Sequence, residues 1–97
     1  LDAAIEEARS TGLTYWLPEL LRRKAILSGG AVAVSALDEA FEVAYGQDAQ
    51  MLVLRNVASR VDLGLALPSS HASRLRDKID TISDCALRRK VSGALAG

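Results

Sequence analysis

The stretch Leu37–Ala44, LDEAFEVA, decides the fold, because an earlier copy of it opens the chain as Leu1–Ala8, LDAAIEEA. Under a shift of 36 residues, Leu1, Asp2, Ala4, Glu6 and Ala8 fall on Leu37, Asp38, Ala40, Glu42 and Ala44, and Ile5 falls on Phe41. The same shift carries Leu17, Leu21, Ala25 and Leu27 onto Val53, Val57, Val61 and Leu63, and Lys24 onto Arg60. A weaker third copy keeps only an apolar skeleton: Leu75, Ile79 and Ile82 repeat the spacing of Leu37, Phe41 and Ala44. A period of this length is one helix pair with its turns, the mark of a stacked α-solenoid.

The pattern around these copies is helical throughout. Leu1, Ile5 and Ala8 share one face of a first helix, and the segment from Ser10 to Thr14 breaks it at Gly12. A second helix starts near Trp16, with Pro18 in its first turn, where a missing N–H is harmless. Trp16, Leu17, Leu20, Leu21, Ala25 and Leu27 fill one half of its wheel; Lys24 intrudes into that half and Ile26 lies on the polar side. Gly29-Gly30 is too short a link for anything but an antiparallel return into Ala33–Tyr45, which Gly46 closes. Leu37, Ala40, Phe41 and Ala44 point inward there, and the small alanines allow close helix approach.

Asp48 is the expected cap of a third helix running from about Ala49 to Ala66. Its two apolar arcs, one on Val53, Leu54, Val57, Ala58, Val61 and Leu65 and one on Leu52, Leu63 and Leu67, suit a helix flanked on both sides. Pro68 ends it, Ser69 or Ser70 is the expected cap of a fourth helix, and Ser83 or Asp84 that of a last one carrying Leu87, Val91 and Leu95. The spacing leaves open whether the last two are one bent helix. The fold class is therefore all-α, antiparallel helix pairs in one domain, with units at about 1–12, 13–47 and 48–83 and a terminal helix at 84–96. Leu17, Leu21, Leu37, Phe41, Val57 and Val61 are expected to share one contiguous core.

Composition narrows the function classes. The 97 residues are 49% hydrophobic, enough for a packed core, so disorder is not expected. Twelve basic and twelve acidic residues balance, which argues against a broadly basic nucleic-acid surface. No apolar run reaches the ~18 residues of a membrane helix, and no leader with a cleavage site is visible. The start at Leu1, inside a helical pattern and without Met, reads as a piece of a longer protein. With Cys85 alone no internal disulfide can form, and the expected location is cytoplasmic.

The helix pairs resemble tetratricopeptide repeats, with Ala44 three residues after the aromatic Phe41 and Ala25 at a customary small position. Leu37, Lys24 and Ala49 depart from that pattern, where the repeats have a small residue, a Leu and a Pro. Over roughly Leu1–Leu67 the chain resembles more closely the divergent tetratricopeptide-like C-terminal arrays of bacterial multidomain signalling and transcriptional regulators. The residues that carry this are Glu7–Gly12, Glu19–Ala25, Phe41–Ala44 and Leu52–Arg55. The resemblance implies a right-handed array and a protein–protein interaction or effector-sensing module of such a regulator.

Catalytic and metal chemistry find no support. His71 and Cys85 are single, so neither a ligand set nor an activated thiol is expected; His71 reads as a surface residue of a first helical turn and Cys85 as a half-buried packing residue. No cofactor, no metal and no enzyme are expected. Gly29-Gly30 is a turn, not a phosphate loop. Arg22-Arg23-Lys24 and Arg88-Arg89-Lys90 spread round their helices and read as solvated faces. Tyr15 and Trp16 are expected to pack in the core or between repeats rather than to anchor an interface. Lys24 is expected to snorkel toward Asp38, Glu39 or Glu42. In this architecture the first helix of each pair lines a concave face, which places Glu19, Arg22, Ile26, Arg55, Ala58 and Asp62 on the candidate protein-binding surface. The expected partner is a protein or a second copy in a homodimer, with no membrane. Nucleic acid is disfavoured, although a helix-turn-helix DNA-binding module remains the alternative, with Arg55, Ser59, Arg60 and Asp62 on its recognition helix.

Overall fold

The computed structural model of the protein describes residues 1–12, 15–82 and 85–96. They form α1 (Asp2–Ser10), α2 (Leu17–Ser28), α3 (Gly30–Gly46), α4 (Gln50–Asp62), α5 (Ser69–Lys78), a 3-10 turn at Ile79–Thr81, and α6 (Ala86–Ala96). No strand occurs among the described residues, so the all-α expectation holds. The last two helices are separate, and the expected caps Ser83 and Asp84 lie outside the described residues, as does Thr14.

Helix ends follow from backbone chemistry more than from side-chain caps. Asp48 caps nothing: it has φ +56 and closes α3 from the left-handed position, while Ala49 is the N-cap of α4. The Ala49 N–H donates to Ala44 O and the Asp48 N–H to Tyr45 O, the paired bonds of a Schellman motif. The same motif ends α4 short of the expected Ala66. Gly64, at φ +70, lets the Leu65 N–H reach Arg60 O and its own N–H reach Val61 O. α5 likewise begins after Pro68 without a cap from Ser69 or Ser70.

α3 packs against both α2 and α4, α1 covers α2, and α6 covers α4. The α2–α3 contact rests on small residues: Ala25, Ala33 and Ala40 are at most 1% exposed. The apolar residues fall into two clusters rather than one. Leu17, Leu21 and Leu37 belong with Ile5 and Ala8 in the first, whereas Phe41 and Val57 belong with Leu54, Leu75 and Val91 in the second. Val61, expected in the core, is 43% exposed. Its equivalent Ala25 is covered by α3, which returns directly from Gly29. After α4 the chain instead runs through Leu63–Pro68, and α5 settles against α3, with His71 on Phe41 and Arg74 on Glu42.

His71 is in the first turn of its helix but not on the surface. It is 4% exposed and stacks on Phe41 at 3.8 Å between ring centroids. Arg60 is buried too, at 1%, with its guanidinium on Asp38 and on Ala66 O. Lys24 pairs with Asp2 at 2.7 Å and not with a carboxylate of α3. One period separates these two pairs at both ends: Asp2 corresponds to Asp38 and Lys24 to Arg60. Each pair joins a helix to the one that follows it, α1 to α2 and α3 to α4.

Candidate interaction face

α2 and α4 lie side by side and run the same way, because the contacts between them advance together. Glu19 meets Arg55 at 3.2 Å, and the Arg22 guanidinium donates to Ser59 Oγ at 3.4 Å. Glu19 also holds Arg22 at 2.8 Å, one turn along its own helix. Burial pushes the Glu19 carboxyl upward, but the hydrogen bonds from Arg22 and Arg55 outweigh it and hold the group below the usual carboxylate range. The carboxylate therefore stays charged and fixes two guanidinium groups at the seam of the two helices.

Of the expected face, the fold brings Glu19, Arg22 and Arg55 into contact and leaves Ile26 beside them, 48% exposed. Two positions do not belong to it. Ala58 is 7% exposed, because α4 is covered on several sides, and Asp62 turns to Lys90 of α6. The rest of the basic triplet is divided: Lys24 goes to Asp2 and Arg23 is exposed.

Tyr15 and Trp16 are a further correction. They are 69% and 64% exposed and meet edge to face at 5.2 Å. Trp16 sits at the N-cap of α2, one residue before the buried Leu17, so the helix buries its neighbour and turns the indole outward. A groove of about 420 Å³ runs from these rings to Met51 and Leu52 at the start of α4. A second, of about 300 Å³, lies on the other side of Trp16 over Leu20, Arg22 and Arg23. The sequence signal for this surface was an aromatic pair just before a helix-opening proline, a position that the core pattern does not reach.

Compared with known proteins, the chain matches no family model, no curated protein and no solved structure significantly. The face is an apolar and aromatic ridge beside charged groups held in place. Among the described residues no group of three or more His, Cys, Asp or Glu side chains is placed to hold a metal ion. No helix among them is long and apolar enough to cross a membrane.

Proposed function

We propose that the chain is a protein-interaction module, a tetratricopeptide-like right-handed array that serves a bacterial signalling or transcriptional regulator by binding a protein or sensing an effector. The observation that carries the interaction reading is the exposure of Tyr15 and Trp16 beside the Glu19–Arg22–Arg55 cluster. Large aromatic side chains flanked by ordered charges are the usual makings of an interface hot spot. The array is supported by the Asp2–Lys24 pair and its copy one period later, Asp38–Arg60. The DNA-binding alternative is weakened because two cations of its recognition helix are engaged, Arg55 by Glu19 and Arg60 by Asp38. The face carries no nucleophile or acid–base pair, so no catalysis is assigned to it.

The test is site-specific photo-crosslinking in cells. A crosslinking residue at position 26 should give discrete protein adducts, and one at the exposed Glu7 of α1 should not. Binding of duplex DNA by the purified chain, falling steeply with salt, together with no adducts at position 26, would replace this reading by the DNA-binding one.

A further inference from the structure

Trp16, Leu20, Arg23 and Leu27 form one stripe of α2, spaced four, three and four residues apart. Trp16 is 64% exposed, Leu27 78%, and Leu20 only half-buried against the first core cluster. One period on, the corresponding positions of α4 are Leu52, Asn56, Ser59 and Leu63. There the middle of the stripe is closed by two helices: Asn56, 2% exposed, donates to Leu37 O of α3, and Ser59, 6% exposed, lies under Arg22 of α2. The same face of equivalent helices is thus a helix-packing face in α4 and an open one in α2.

We infer that the Trp16–Leu20–Leu27 stripe of α2 docks an acidic amphipathic helix of a partner protein. The inference rests on the interaction reading above and adds the partner's chemistry. Continuity with the α2–α4 interface makes the occupant a helix, because that is what lies on this face one period later. Apolar side chains at matching spacing would cover Trp16, Leu20 and Leu27 over about 16 Å of helix. The charge of the surroundings sets its sign. Arg22, Arg23 and Arg55 border the stripe; Glu19 offsets them with a carboxylate already shared by two of the three, and Asp48, across the groove from Trp16, is paired with Lys78. Carboxylates flanking the apolar edge of the incoming helix would meet Arg23 and the outer side of Arg55. A second copy docked through the same stripe would bring the same cationic excess against itself, which disfavours a two-fold pairing here.

Trp16 is the only tryptophan of the chain and reports docking by its emission. The probes are two alanine-based helical peptides of about 18 residues with leucines at the matching spacing, one flanked by glutamates and one by lysines. The glutamate peptide should shift Trp16 emission to the blue with saturation below roughly 100 µM, and added salt should weaken it. The lysine peptide should bind at least about tenfold more weakly. Leu27→Asp and Arg23→Glu should each cost the glutamate peptide about tenfold in affinity while circular dichroism and the melting curve stay unchanged, and Arg23→Glu should raise affinity for the lysine peptide. Equal binding of both peptides, no saturation, or indifference to Leu27→Asp would overturn the inference. So would a dimer by sedimentation that Leu27→Asp dissolves, since the stripe would then serve self-association. Adducts at position 26 with no binding of either peptide would sink this inference alone and leave the interaction reading standing.

Discussion

Phe41 belongs to the second core cluster. It is fully buried, stacks on His71 at 3.8 Å and lies beside Tyr45 at 5.8 Å. Phe41→Ala is expected to cost about 3–5 kcal/mol, a large part of the ~5–15 available to a small domain, and thermal or urea unfolding measures it. His71 adds a pH dependence. Burial is the main cause that holds its pKa below the ordinary value; Arg60 and Arg74 act the same way, and Asp38 and Glu42 oppose them. The unfolded chain therefore takes up a proton near pH 6.5 that the folded chain still refuses. Stability is complete above that pH and falls as the pH drops through the window below it. The melting temperature should decline from about pH 7.5 to 5, and His71→Gln should flatten the decline. Lys24 and Arg60, 36 residues apart, each pair with an aspartate but differ in burial. Lys24→Met should change stability by less than about 1 kcal/mol, because its pair with Asp2 is largely solvated. Arg60→Ala, which empties a fully buried site bonded to Asp38 and Ala66 O, should cost about 2–4 kcal/mol.

At the scale of elements, the two Schellman closures decide where the chain turns. Asp48 adopts a left-handed conformation that a side chain disfavours, and its pair with Lys78 is exposed. Asp48→Gly is expected to stabilise the chain by about 0.5–1 kcal/mol, seen as a higher melting temperature. Gly64 is the converse. A Cβ there would meet nothing within 4 Å, so the cost of Gly64→Ala, about 1–2 kcal/mol, comes from φ +70 alone. These positions also show what helix periodicity misses. The apolar arc that ends on Leu65 continues the third helix on a wheel, yet the backbone leaves the helix at Leu63 because Gly64 can reverse it.

For the whole molecule, the α2–α4 face is the surface for which we propose an interaction, and it should be separable from stability. Ile26→Asp is expected to leave helix content and melting temperature unchanged, since Ile26 is 48% exposed, while adducts from a crosslinker at position 16 diminish. A collapse of the melting curve would instead show that Ile26 supports the fold. That Glu19, Arg22 and Arg55 meet, with Ile26 beside them, was legible in the sequence, because spacings of three, four and 36 residues align these positions. Ala58 and Asp62 were not, because a helix wheel does not say that α6 packs on α4 and offers Lys90 to Asp62.

The sequence by itself determined the helices, their antiparallel return at Gly29 and most of the buried residues, for these follow from local periodicity and backbone chemistry. The recurrence of Asp2 and Lys24 as Asp38 and Arg60 was also written there, but as four separate letters. Only the tertiary structure joined them into one ion pair made twice, because the partners lie 22 residues apart, on separate helices. It alone buried His71 under α3, left Val61 bare and turned Trp16 outward. Each of these outcomes depends on which helix lies across a given face, and a pattern along one helix carries no information about its neighbours.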